Sequence, residues 1–431
     1  MNFLAFLGVL VSFWRFVVMA VPAFTEEIGR TTVNSPSTGF VPVQQEEVDF
    51  LGTAPIPAKA YYDPAWYELE RQAIFMRSWI NVGHICELPE PGNFIHRKLE
   101  FAATSLLIVR GKDGEVRAFH NACTHRGTQL VREEQGKRTS FSCPYHRWTF
   151  GQDGALISAP DFDGFHVTKE QCALNAVRTE ILAGLIFVNL DADAASLRDE
   201  VGDFADEMET LPVARATEFT EYTYELDANW KIAYDNFQEN YHLRFIHPRS
   251  AESGTGPDNP FGYPSRYRFR GPHRGQTIWF NPQAVPRGPV QVAGFTTAAE
   301  ALAGKGLMDS PHGNEYFGLF PTFFMLGSPI QNFSHVLYPL EAGKTRGVIR
   351  LYWAGEAETA SELFARHTCI NMMRDLHAED VDVIEDGYAG LASGVIEHIH
   401  FQTQEALCRH LYNTVAEKVA AFQDRTANEV S

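Results

Sequence analysis

Cys123-Thr124-His125-Arg126-Gly127 is followed, eighteen positions after His125, by Cys143-Pro144-Tyr145-His146. A Cys-x-His and a Cys-x-x-His pair at this separation can hold a [2Fe–2S] cluster with unequal ligands. Two thiolates bind one iron and two imidazoles the other, which raises the potential by several hundred millivolts over an all-cysteine plant-type cluster. Such a cluster accepts an electron from a ferredoxin or flavoprotein and passes it on.

Short strands surround the motif. Leu106 to Val109 and Val116 to Phe119 flank Gly111-Lys112-Asp113-Gly114, a hairpin signal. A second turn at Asp153-Gly154 separates Trp148-Thr149-Phe150 from Ala155-Leu156-Ile157, and Leu185 to Leu190 reads as one more strand. The motif is therefore expected on loops of a small β domain over residues 80–191, with strands keeping the loops rigid. Ahead of it, Asp63-Pro64 starts a helix over Ala65 to Trp79, an acid at the N-cap with proline at the first helical position. Residues 47–79 are expected as a helical lead-in packed on the second domain.

Residues 192–431 read as a longer α+β domain. Helices are expected over Trp230 to Phe245, Ala357 to Ala389 and Glu405 to Gln423. Strands are expected over Tyr316 to Leu326, Asn332 to Leu340 and Arg346 to Trp353, and a loop-rich stretch over Val285 to Gly304.

Bulk properties bound the function. The 431 residues suit two domains, and 45% hydrophobic with 21% charged residues is ordinary for a globular protein. A net charge of −18 argues against a nucleic-acid surface. Arg266-Tyr267-Arg268-Phe269-Arg270 with Arg274 is a local exception, read as a surface strand or as an entrance for an anionic substrate. The four cysteines outside the motif, Cys86, Cys172, Cys369 and Cys408, show no pairwise spacing, which fits a reducing compartment and a cytoplasmic location. Residues 1–46 form an apolar extension and linker. The run from Phe3 to Phe24 is broken by Arg15, reads poorly as a signal peptide, and leaves membrane association open.

A destination for the electron appears at Glu239-Asn240-Tyr241-His242, followed by His247-Pro248. Non-haem iron enzymes that activate O2 commonly use two histidines and one carboxylate, leaving positions open. On a helix Glu239 and His242 share a side. Pro248 pushes His247 out of helical geometry, so it can swing back toward His242. For the carboxylate, Met373, Leu376, Val383, Ile384 and Gly387 form an apolar stripe with Asp380 at its centre, while Glu379, Asp382, Glu385 and Asp386 read as a solvated face. A carboxylate at the centre of a buried stripe needs a cation. Asp380 is the expected third ligand, or else a member of a buried ion pair with Arg374 or another base.

With these segments in order, the chain resembles the Rieske non-haem iron ring-hydroxylating oxygenases, in their terminal oxygenase α subunit. Cys123-x-His125 with Cys143-x-x-His146, Asn229-Trp230-Lys231, Asn236-Phe-x-Glu239-x-Tyr-His242, His247-Pro248 and Glu379-Asp380 carry the likeness, which runs from about residue 60 to about residue 425. The resemblance implies a Rieske β domain followed by a helix-grip catalytic domain with mononuclear Fe(II) and O2 as co-substrate. It further implies a homotrimer, with or without a small β subunit, in which the cluster of one subunit lies beside the iron of the next. Glu239 stands at the acid that bridges the two sites, and Asn236 in the same segment is carried with it as a candidate catalytic residue. Most ring-hydroxylating members have aspartate at the bridge, whereas the carnitine-oxygenase branch, which acts on quaternary amines, carries glutamate.

The chain has no Gly-x-Gly-x-x-Gly fingerprint and no second cysteine cluster, so a separate NAD(P)H-dependent reductase, with or without a ferredoxin, must supply electrons. The expected activity is hydroxylation, by mono- or dioxygenation, of an organic, aromatic substrate. Phe237, Phe245, Phe317, Phe320, Phe323, Phe324 and Phe333 are rich enough in ring surface to bind one, or to cage a trimethylammonium group, although strand alternation must place about half elsewhere. A quaternary-amine monooxygenase or demethylase is the alternative, and a pure electron-transfer Rieske protein is the rival from another class. The loop-rich Ser250 to Asp309 is expected to cover the pocket.

Overall fold

Two antiparallel seven-stranded sheets build the molecule. The computed structural model describes residues 40–248, 250, 252–281, 289–290, 292–294, 296–297, 315–327 and 332–430. The apolar run from Phe3 to Phe24, and most of Val285 to Gly304, lie outside the described residues. Among those described, no helix is long and apolar enough to cross a membrane.

The first sheet orders its strands as Ile80–His84, Leu185–Asn189, Ala176–Leu182, Val116–His120, Thr104–Arg110, Asn93–Leu99 and Gln135–Lys137. The expected hairpin is present, with Val109 opposite Arg117 and Gly114 at φ 87° in the turn. A small three-stranded sheet, Phe141–Ser142, Thr149–Phe150 and Leu156–Ser158, caps this unit. Between the cap and the main sheet lies a separate core of Phe94, Leu107, Phe119, Phe141, Trp148 and Phe150, which also takes in Cys123 and Cys143.

The second sheet runs Glu218–Leu226, Lys344–Trp353, Asn332–Glu341, Phe323–Gly327, Glu315–Leu319, His273–Thr277 and Arg266–Arg270. The stretch expected as one strand, Tyr316 to Leu326, is two, because Pro321 in the intervening turn has no N–H to give to a ladder. Alternation along the strands gives this sheet two unlike faces. One face meets the first domain: Phe323 packs edge-on against Phe187 at 5.3 Å, Tyr338 donates to Asn81 O at 2.7 Å, and Arg350 pairs with Glu87 at 2.7 Å. The other face presents Tyr224, Tyr316, Phe324 and His335 to the helices Trp230–Asn236 and Ala360–Ala392. Of the seven phenylalanines expected around a pocket, Phe317 packs on Phe204 and Phe323 on Phe187, Phe320 is buried in the turn, and Phe245 is 62% exposed. Phe237 and Phe324 share the helix side with Phe333.

Asp63 caps the lead-in helix Pro64–Glu70 by accepting from Ala65 N, and a π turn over Arg71–Phe75 ends it. Glu70 then inserts among apolar groups. It pairs with Lys231 at 2.6 Å and accepts from the indoles of Trp66 and Trp230 at 2.8 and 2.9 Å. Part of the expected linker is structured as well: Gln45–Val48 is a helical turn, and Val43, Val48 and Leu51 pack on Ala406. The basic strand Arg266–Arg270 is a sheet edge with Arg266 and Arg270 exposed, but Arg268 turns inward to Glu207 and Glu315 and Arg274 is fully buried, so the surface-strand reading holds for only part of the run.

Candidate metal centres

The two loops of the cysteine motif have the same backbone construction. In the first, Gly127 N donates to Cys123 O and Cys123 N to Thr128 O, both at 2.8 Å. In the second, Arg147 N donates to Cys143 O at 3.0 Å and Cys143 N to Trp148 O at 2.8 Å. Each loop closes through a residue with positive φ, Gly127 at 76° and Arg147 at 61°. Both cysteines are buried and uncrosslinked, and the His125 and His146 rings lie 4.7 Å apart toward the surface. His125 stacks on Trp148 at 4.8 Å, which fixes its plane. Burial pushes the Cys123 thiol up and Cys143 adds to this, against backbone N–H groups that pull it down. Two adjacent buried thiols are costly to ionise without a cation, and two thiols inside with two imidazoles outside fit an asymmetric cluster.

Beneath the second sheet, one ligating atom each from His242, His247 and Asp380 falls within 4.8 Å of the others. The expected helix from Trp230 to Phe245 is not continuous. It stops at Asn236, and a second short helix, Leu243–Ile246, begins at His242. Side chains take the segment between off the helical path. Gln238 donates to Asp235 at 2.9 Å and accepts from Arg274 Nε, and Asn240 donates to Gly262 O. Glu239 accepts from the backbone of Tyr241 and His242, so it and His242 meet through a turn rather than a helical face.

Both imidazoles are held in the same way. Glu239 binds His242 Nδ1 through Oε1, and Glu379 Oε2 lies 2.7 Å from His247 Nδ1. Their Nε2 atoms face Asp380 Oδ1 at 3.7 and 2.9 Å. Asp380 is 1% exposed, yet neither of its oxygens nor His247 Nε2 finds hydrogen-bonding geometry with any partner. A buried carboxylate in that state costs several kcal/mol, roughly the penalty that a bound cation removes. Arg374 is exposed and is not the partner of Asp380, which leaves the two imidazoles as the bases beside it.

Helix Ala360–Ala392 also corrects the expected stripe. Its buried positions here are Met373, His377, Asp380 and Ile384, whereas Val383 and Gly387 are exposed. Glu379, read as solvated, is the carboxylate on His247. His377 was passed over, although its place three residues before Asp380 was the available signal. Tyr224 and His335, on strands separated by Lys344–Trp353, pack with His377 beside Asp380. Asn236 ends its helix with a buried Nδ2 that has no hydrogen-bond partner.

The Rieske [2Fe-2S] domain family matches residues 78–172, and the ring hydroxylating alpha subunit catalytic domain matches residues 213–421. The α subunit of 2-aminobenzenesulfonate 2,3-dioxygenase from Alcaligenes sp. is 37% identical over 333 residues, 76% of this chain and 77% of that protein. The chain belongs to the Rieske-type ring-hydroxylating oxygenase α subunits. Its cofactors are those of that family, a [2Fe–2S] cluster and a non-haem iron. The carnitine monooxygenase oxygenase subunit of Acinetobacter pittii is 36% identical to this chain over 202 residues, 46% of this chain and 53% of that protein, so the match spans about half of the relative's length. The quaternary ammonium Rieske monooxygenase CntA, solved with L-carnitine, has the same fold: TM-score 0.68 and 25% identity, covering 88% of this chain and 99% of that one.

Proposed function

We propose that the chain is the terminal oxygenase component of a multicomponent system, hydroxylating a small organic substrate with O2 and electrons from a separate NAD(P)H-dependent reductase. Cys123, His125, Cys143 and His146 hold the cluster, and His242, His247 and Asp380 hold the iron. The observation that carries this reading is the convergence of two carboxylate-anchored imidazoles on the buried Asp380, whose oxygens accept no hydrogen bond. A pure electron carrier has no use for such a site.

When bound, the cluster supplies single electrons and the iron a place for O2 to be activated. The chain's own groups do the rest. Glu239 fixes the His242 tautomer with Nδ1 protonated and Nε2 free to ligate, and Glu379 does the same for His247. Glu239 keeps some exposure, beside a half-exposed Tyr241, which suits contact with the cluster domain of a neighbouring subunit in a homotrimer. Tyr224, Phe237 and Phe324 give an apolar lining that excludes water and accepts a flat ring. The same rings suit a quaternary ammonium group. Glu239 in place of aspartate favours that second reading, as does the carnitine monooxygenase likeness.

The test is a panel of aromatic acids, neutral aromatics and quaternary amines, run with a surrogate reductase and read by product mass. One added oxygen, two oxygens with two hydrogens, or loss of a methyl group separates monooxygenation, dioxygenation and demethylation. Asp380→Ala should drop iron from three atoms per chain to two and abolish product while the cluster absorption persists. Product formation surviving that change would falsify the site.

A further inference from the structure

Two buried histidines beside the iron site carry three ring nitrogens with no hydrogen-bond partner among the described residues. His335 and His377 are both fully buried. His377 has neither ring nitrogen paired, and His335 Nδ1 is unpaired. Buried polar atoms are almost always satisfied, so three nitrogens in one place that are unpaired among the described residues point to a partner supplied on binding. His377 lies three residues before Asp380 on the same buried stripe and feels its charge. It packs on the Tyr224 ring at 3.6 Å, while His335 meets Phe237 at 4.5 Å and Phe324 at 4.9 Å. These are the rings proposed above as the apolar lining.

The hydrogen each ring presents follows from its contacts. Burial holds both imidazoles well below their ordinary value, so each is neutral, with one N–H and one acceptor nitrogen. Tyr224 OH lies 2.5 Å from His335 Nε2, and burial keeps the phenol protonated. If Tyr224 donates, one group is left unpaired, the N–H at Nδ1. If it accepts, both its own proton and the Nδ1 lone pair are stranded. The first arrangement is the cheaper, and it makes His335 Nδ1 a donor. His377 carries its single N–H on either nitrogen and has no described acceptor for it. The wall beside the iron therefore offers two donors set among aromatic faces.

We propose that His335 and His377 are the substrate-recognition pair of this site, donating N–H bonds to an oxyanion, a carboxylate or sulfonate, that the substrate carries within a few bonds of the carbon to be oxidised. Both substrate classes considered above meet this condition only in their oxyanion-bearing forms, and the inference rests on that oxygenase reading. Asp380, the carboxylate acting on His377 and Tyr224, is turned toward the metal position and does not compete for these donors.

Binding to the anaerobic, iron-loaded full chain tests this by calorimetry with two matched pairs: 2-aminobenzenesulfonate against aniline, and glycine betaine against tetramethylammonium. The parent protein should bind the oxyanion-bearing member of one pair at least ~10-fold more tightly than its counterpart. His377→Leu and His335→Leu should each reduce that ratio about 10-fold, and His377→Gln, which keeps an amide donor, should recover most of it. The pair preferred identifies the substrate class. A parent with no oxyanion preference in either pair overturns the proposal, as does an unchanged ratio in the leucine variants. Loss of iron from a leucine variant overturns it too, because the ring then serves the metal. Binding is read without turnover, so failure to form product, which would sink the oxygenase reading, leaves this measurement intact.

Discussion

His247 and Glu379 are joined at 2.7 Å between Nδ1 and Oε2, with Ser250 donating to the same carboxylate oxygen. This contact places Nε2 at 2.9 Å from Asp380 and makes Glu379, three-eighths exposed, part of the metal centre. A carboxylate on the far nitrogen of a ligating histidine fixes the tautomer and raises its basicity. Glu379→Ala should weaken iron binding about 10- to 100-fold, measured by competition with a chelator, with the cluster absorption unchanged. An affinity within twofold of the parent would show that the ring is held by packing alone.

The buried pair of Glu70 and Lys231 ties the lead-in helix to the helix before the iron ligands. Both side chains are fully inaccessible, and burial pulls the lysine down from its ordinary value despite its partner. Removing one member leaves an unpaired buried charge, at a cost of about 3–5 kcal/mol. Glu70→Gln should therefore lower the denaturation midpoint sharply, while Glu70→Gln combined with Lys231→Met should recover part of the loss. A single variant as stable as the parent would contradict this account.

Gly127 and Arg147 hold equivalent positions in the two cluster loops but meet opposite constraints. A Cβ on Gly127 would touch nothing within 4 Å, so Gly127→Ala isolates backbone strain. It should destabilise the cluster domain by roughly 1–2 kcal/mol, read as faster loss of cluster absorption on heating. Arg147→Gly should move the same readout the other way, because the left-handed backbone suits glycine better. Equal effects from both variants would mean that the side chains, not the backbone, decide.

His273 predicts a pH dependence. Its Nδ1 accepts from Phe320 N at 3.1 Å, so protonation would set N–H against N–H. Burial lowers its pKa to about 3, with Arg274 adding to the effect. The folded state thus binds fewer protons than the unfolded one from about pH 6.5 down to about 3, and stability is lost as pH falls through that window. Asp235 and Glu405, pushed by burial up to about 7, act with the opposite sign, gaining stability as pH falls below 7. The comparison is therefore with His273→Asn, which keeps an acceptor and does not titrate. Between pH 6 and 4 its unfolding free energy should fall less steeply than the parent's, by about 1.4 kcal/mol per pH unit. Parallel slopes would place the proton elsewhere.

Local spacing made much of this protein readable. Cys-x-His with Cys-x-x-His specifies a cluster through ligand chemistry alone, and Asp-Gly turns between β-rich runs specify hairpins because those backbones demand them. Asp380 was legible because a carboxylate inside an apolar period is an energetic anomaly. The same periodicity put Leu376, Val383 and Gly387 on the stripe and missed His377, since an ideal 100° step does not say which edge of the stripe a neighbouring sheet covers. The break after Asn236 was not legible either. It depends on Gln238 and Asn240 finding Asp235, Arg274 and Gly262, partners that helical propensity does not register.

By itself the chain determined the proposed ligand types, their order and the α+β plan, because metals select donor atoms and strands select alternation. Tertiary structure alone decided which carboxylate anchors which histidine, which phenylalanines face the helices and which pack on the other domain. It alone left His335 Nδ1 and both ring nitrogens of His377 without partners among the described residues. Those facts depend on strand register and on side chains more than a hundred residues apart meeting in space, as Glu379 meets His247 and Tyr224 meets His335. Register fixes a whole face at once, and a single shift would have sent Phe324 and His335 toward the cluster domain.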